Sequence, residues 1–161
     1  MIDQRGLFTY LHTTFQCNWH GLHGVAHWKR VAGYGLVLGQ IYRLPKEDLL
    51  IIKLFSYLHD SCRQNEEDDI KHGERAAILT HDLNGLYYDL NRHQLNKLCL
   101  AIAQHSFGLM SRDTTTQTCW DADRLDLGRV GITTDPQYLS KTASRLINNA
   151  ARRDKLEVTV C

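Results

Sequence analysis

The sequence predicts an all-α fold, and three observations carry that expectation. Apolar residues recur at three- and four-residue spacing through most of the chain. Only two prolines stand in the way of long helices. Strand-like alternation is confined to residues 156–161. The 161 residues amount to about one domain, since domains commonly run roughly 100–200 residues. A single domain over 1–161 is therefore expected, with its motif-bearing core at about 20–130. A chain of this length can bury a core without a disulfide or metal merely to fold.

The elements follow in order. The N-terminal stretch has an early acid, Asp3, and an interrupting His12. It lacks the basic start and unbroken apolar run of a signal peptide, and no element is assigned to it. A helix is predicted over 24–42, ending before Pro45. A second, over 46–60, is apolar on nearly every side and should lie centrally. Its apolar run, 49–58, is broken by Lys53 and Ser56 and is too short to span a bilayer. The acidic run Glu66, Glu67, Asp68 and Asp69 reads as a solvated linker. Further helices are predicted over 72–80, 93–104, 118–127 and 136–153.

Composition excludes several classes. With 43% hydrophobic and 23% charged residues the chain is neither disordered nor a simple coiled coil. A net charge of +1 gives no reason to expect nucleic acid or an anionic membrane as partner, because such binding leans on dense positive charge. The five cysteines are odd in number, spread out and without a C-x-x-C pair, which argues against a disulfide framework or a Cys-rich zinc module. A soluble, cytoplasmic protein is expected.

The nine histidines carry the chemical signal. Side chains three, four and seven apart share a helix face. On that rule His27 lies with Val31 and Tyr34, and His59 with Ile52 and Phe55. His72 lies with Ala76 and Leu79, and His105 with Leu98, Ala101 and Ile102. Asp123 lies with Trp120 and Leu127, and Asp60 adjoins His59 at a helix end. A single buried histidine is most often a core residue bonded to a carbonyl. Four histidines and two aspartates on converging apolar faces point instead to a metal, because buried carboxylates are costly unless paired or ligating. Imidazole with carboxylate suits Mn, Fe, Co, Ni or Zn rather than Ca or Mg. The second His-Asp pair, His81–Asp82, precedes the turn signal Asn84–Gly85 and is expected at the surface. His12 and His93 have no inward company and are expected there too. His20 and His23 lie seven and four before His27 and are placed on its face. Trp28 is read as core rather than as a platform for a base.

These residues resemble the HD-domain superfamily, named for its adjacent His-Asp ligand pair. The resemblance covers about residues 20–130. It rests on His27-Trp28-Lys29-Arg30-Val31, on Leu58-His59-Asp60, and on Asp121-Ala122-Asp123-Arg124-Leu125-Asp126, in the family's order. More locally, His23-Gly24-Val25-Ala26-His27-Trp28, His59-Asp60-Ser61-Cys62-Arg63 and Asp69-Ile70-Lys71-His72-Gly73-Glu74-Arg75-Ala76-Ala77 resemble small HD proteins described only in general terms as phosphohydrolases. The lysine and the G-Y-P motif of cyclic-dinucleotide-cleaving relatives are absent.

The resemblance implies a helical bundle with a buried mono- or dinuclear site. His27, His59, Asp60 and Asp123 would hold one divalent transition metal, and Asp60 would bridge to a second held by His72 and His105. Asp121 and Asp126 would support these ligands or cap a helix. The implied activity is hydrolysis of a small phosphorylated substrate, a phosphomonoester or nucleotide. Asp60 would orient the attacking water, His23 would assist as an acid, and Arg63, Arg75 and Arg124 would bind phosphate. Arg124 has an alternative partner in Asp121. Two other functions remain open at this stage: a di-iron oxygenase on the same ligand set, and a non-catalytic metal- or nucleotide-binding module. The sequence leaves the oligomeric state open.

Overall fold

In the computed structural model, which describes residues 2–147, helices α1 (Gln4–Thr14), α2 (Val25–Ile41), α3 (Lys46–Leu58), α4 (His72–Leu83), α5 (Arg92–Gln104) and α6 (Thr114–Arg124) build the protein. Helix α3 is central: it packs on α2, α4, α5 and α6, and from Ile51 to Asp60 only Lys53 is not buried. Two further packings, α2 on α6 and α4 on α5, surround it. Short 3-10 turns follow at Leu127–Val130 and Pro136–Tyr138, and residues 141–147 are helical. No extended strand occurs among the described residues; backbone pairing there is limited to isolated bridges at Tyr88. The predicted strand at 156–161 and the end of the helix predicted over 136–153 lie outside the described residues. That helix is itself corrected, because the chain runs non-helically at 139–140 between the 3-10 turn and the helical segment.

Local chemistry sets most helix starts. Asn91 and Gln94 form a reciprocal capping box that opens α5, satisfying two otherwise orphaned backbone N–H groups. Asp3 opens α1 by accepting from the Gly6 N–H at 2.9 Å. Asp113 opens α6 by accepting from Thr116 N at 2.8 Å, four residues before the predicted start at Thr118. The threonines there are weak helix formers, but burial of Thr115 through Ala122 holds them in the helix. Helix α1 was not expected at all. Its Leu7 and Leu11, four apart, are buried against the main core.

Two glycines let helices approach closely. A Cβ at Gly35 of α2 would stand 2.5 Å from Ile52 Cγ2 of α3. One at Gly73 of α4 would stand 2.8 Å from the Ile102 carbonyl oxygen of α5. Gly73 adjoins His72, so this contact fixes the spacing of two candidate ligands. No helix among the described residues is long and apolar enough to cross a membrane. Cys17, Cys62, Cys99 and Cys119 are free thiols.

Candidate metal centre

Five helix ends meet at one place. His27 lies in the first turn of α2, His59 closes α3 with Asp60 beside it, and His72 begins α4. His105 closes α5, and Asp123 sits in the last turn of α6. The four imidazoles and Asp60 are buried. Three of the helices, α3, α5 and α6, present C-terminal ends, whose partial negative charge favours a cation.

Each imidazole is aimed by its Nδ1. His59 Nδ1 donates to Phe55 O at 3.1 Å, His105 Nδ1 to Ile102 O at 2.7 Å, and His72 Nδ1 to Asp69 O. His27 Nδ1 donates to Asp126 Oδ2 at 2.7 Å. A carbonyl only accepts, so these bonds place the proton on Nδ1 and leave a bare lone pair on Nε2. The Nε2 atoms nevertheless converge: His27 to His59 at 3.1 Å and His72 to His105 at 2.9 Å. Two bare lone pairs at that distance repel unless a cation or proton lies among them.

The donor atoms form two groups that share one carboxylate. Around His27 and His59, Asp123 Oδ1 lies at 3.3 and 3.6 Å, and Asp60 Oδ2 at 3.6 and 3.7 Å. Around His72 and His105, Asp60 Oδ1 lies at 3.1 and 3.6 Å. Metal bonds of about 2.0–2.2 Å to nitrogen and carboxylate oxygen set neighbouring ligand atoms about 2.8–3.6 Å apart. The residues therefore fit divalent transition metal ions, with Asp60 offering one oxygen to each group.

Electrostatics agree with that fit. Burial pushes the Asp60 carboxyl up, but His59 and the hydrogen bonds of His105, His23 and His72 outweigh it and hold it well below the usual range. Burial also raises Asp123, and His27 and His59 more than compensate. Burial lowers His59, favouring the neutral ring that a metal needs, whereas for His27 and His105 burial is outweighed by the carboxylates of Asp123, Asp126 and Asp60, which raise both rings where no cation is present.

A cavity of about 460 Å³ opens beside the cluster, reaching Asp60, His105 and Asp123. His23 and Arg63 line it. His23 Nδ1 lies 2.9 Å from Asp60 Oδ2, and Arg63 Nε donates to Asp60 Oδ1 at 3.1 Å. Asp126 accepts from Arg30 as well as His27, through Nε at 2.7 Å and Nη2 at 3.0 Å. Outer partners of this kind orient metal-ligating histidines. Asp126→Ala is expected to weaken metal binding about 10–100-fold, measured by competition with a chromophoric chelator. Unchanged affinity would mean that packing alone aims His27.

Other residues fall elsewhere than expected. Arg75 does not line this cavity. It donates to the Cys62 carbonyl and, at 2.5 Å, to Asp69 Oδ2, because the loop before α4 folds back over it. Arg124 does line the cavity, yet it donates to the carbonyls of Gly108, Leu109 and Tyr138 rather than to Asp121. It ties the chain after α5 to the segment after α6. Asp121 instead accepts from Gln117 Nε2 and Ser140 N. His20 is exposed in a turn, since α2 begins only at Val25. The acidic run is more than a solvated linker: Asp69 accepts from Gln64 N and Arg75, and its carbonyl orients His72. His12, His93 and the His81–Asp82 pair are exposed, as expected. Trp28 is fully buried.

Arg129 and Ser106, which sequence reasoning passed over, also line the cavity. Arg129 donates to Leu22 O at 2.9 Å and Asp126 O at 3.1 Å. Its one sequence signal is its place three residues after Asp126.

The arrangement of the helices is that of an HD-type fold. A crystal structure similar to this chain is that of a predicted HD superfamily hydrolase from an uncultured Thermotogales bacterium. It is 19% identical with a TM-score of 0.70, and the match covers 97% of this chain and 93% of that one. No family model and no curated protein matches the chain.

Proposed function

We propose that the protein is a metal-dependent phosphohydrolase of the HD superfamily, hydrolysing a small phosphomonoester or nucleotide. The observation that carries this reading is Asp60, whose two oxygens face two separate pairs of imidazole nitrogens. The description of the Thermotogales protein as a predicted hydrolase supports hydrolysis in general. Ions bound there would supply an acidified water and a clamp for phosphoryl oxygens.

The chain's own groups have distinct tasks in this reaction. Asp60 holds the two halves of the cluster in register. His23, held against Asp60 on the cavity wall, is the candidate to hand a proton to the leaving oxygen. Arg63 is held by Asp60 and, through Nη1, by the Glu67 carbonyl at 3.0 Å. That grip fixes the guanidinium plane at the edge of the cavity, where a planar cation suits phosphate oxygens.

Arg63→Ala is expected to raise KM more than it lowers kcat, because part of its bonding to phosphate already exists in the ground state. A charge-assisted hydrogen bond is worth about 1.5–3 kcal/mol, which corresponds to roughly 10–150-fold. Arg63→Lys should recover part of the loss. A fall in kcat with KM unchanged and metal retained would move Arg63 from substrate binding to the reacting atoms.

The function itself is tested by elemental analysis of protein purified without chelator. Reloading with Mn, Fe, Co, Ni and Zn follows, with phosphate release measured on sugar phosphates and nucleotides. Release with at least one metal supports the proposal. Oxygen consumption by the iron-loaded protein with no phosphate release would replace it with oxygenase chemistry, and failure to bind any metal would end both.

A further inference from the structure

We propose that Ser106 is the fourth protein donor of the position built by His72, His105 and Asp60, an inference that rests on the metal-binding reading above. Ser106 follows the residue that closes α5, is exposed, and lines the cavity. Its Oγ lies 3.2 Å from His105 Nε2 and 3.4 Å from His72 Nε2. The other separations in this group are 2.9 Å between the two nitrogens, and 3.1 and 3.6 Å from them to Asp60 Oδ1. Ser106 Oγ thus stands on the cavity side of this group, and its distances to both nitrogens fall within the spacing of about 2.8–3.6 Å that common metal bonds impose.

In the neutral rings both Nε2 atoms carry bare lone pairs, because both Nδ1 atoms donate to carbonyls. The single hydroxyl proton serves one of them at a time, yet the oxygen sits within reach of both. A cation lying among the three donors draws on the nitrogen lone pairs and on an oxygen lone pair at once.

The consequence is an inequality between the two positions. The first group has two imidazoles and two carboxylate oxygens, from Asp60 and Asp123. The second has two imidazoles, one carboxylate oxygen and a neutral hydroxyl. It therefore carries less negative charge and binds its ion more weakly. The hydroxyl also faces the cavity, so an oxygen of an incoming ligand can take its place without disturbing a buried residue.

The test is a titration of the full chain, stripped of metal, with Mn2+ and separately with Co2+, followed by calorimetry and absorption. Wild type is expected to take up two equivalents, the second more weakly. Ser106→Ala should weaken the second equivalent about 10-fold, the lower end of the range for loss of a supporting group, and leave the first unchanged. Ser106→Cys should add a thiolate-to-cobalt absorption band, with the second equivalent, that wild type lacks. Two equivalents bound alike by wild type and Ser106→Ala, with no new band in the cysteine variant, would overturn the Ser106 assignment alone. Uptake of one equivalent by wild type would instead overturn the second position, and Ser106 with it.

Discussion

Asp60→Ala is expected to abolish phosphoester hydrolysis and to leave the protein unable to retain metal at either position. Loss of an outer partner typically costs about 10–100-fold in metal affinity or activity. Asp60 offers an oxygen to each group directly, so its removal should exceed that range. Its loss also frees His23 and Arg63, which both bond to it. Asp60→Asn is the instructive companion. It keeps the shape and one acceptor oxygen but replaces the other with a donor amide, which cannot ligate. Retention of a single equivalent by Asp60→Asn, with none by Asp60→Ala, is the expected pattern. Far-ultraviolet circular dichroism separates this from unfolding. Two equivalents of metal in folded Asp60→Ala would show that the carboxylate does not join the positions.

Trp28→Ala should destabilise the fold by about 3–5 kcal/mol, the range for deleting a large buried aromatic. Trp28 is fully buried and meets Phe15 and Trp19 edge-on, each at 5.2 Å between ring centres. Those contacts join α2 to the segment after α1, so the loss should be felt across the domain. At roughly 2–4 °C per kcal/mol for a chain of this size, the melting temperature should fall by about 6–20 °C. Trp28→Phe should cost less. It keeps an aromatic ring and removes an indole N–H that has no hydrogen-bond partner among the described residues. A thermal melt unchanged in Trp28→Ala would return the residue to the alternative of a ring that stacks on a bound base.

The clustering of His27, His59, His72 and His105 was legible because burial and helical period act together. Each of His27, His59, His72 and His105 shares a face with buried apolar neighbours, although Tyr34, expected on the face of His27, is exposed. What escaped was set by interactions that periodicity does not encode. Helix α1 has a glycine and three threonines among its 11 residues, and only tertiary packing of Leu7 and Leu11 makes it worthwhile. The start of α6 was hidden by its threonine run. Arg75 and Arg124 read as phosphate binders because their neighbours in sequence, His72 and Asp123, are candidate ligands. Their guanidinium groups instead satisfy main-chain carbonyls and Asp69, partners that only the folded loops bring near. Ser106 and Arg129 have no pattern at all beyond their nearness to His105 and Asp126.

The Nδ1 bonds have a consequence for how such a centre tolerates sequence drift. Three of the four rings are aimed by peptide carbonyls, those of Phe55, Asp69 and Ile102. Every amino acid carries that carbonyl, so the Nδ1 bond of each of these rings is inherited from backbone position. Among the four, His27 alone takes its Nδ1 bond from a side chain, Asp126, lying 99 residues away in sequence. The carbonyl bonds themselves survive substitution at 55, 69 and 102 provided the helix ends stay in place, but Phe55 also stacks on His59 and the Asp69 carboxylate also holds Arg75. A change at 126 acts on a candidate ligand directly. Among natural variants of such a chain, position 126 and the spacing of the helix ends should be where metal affinity is adjusted.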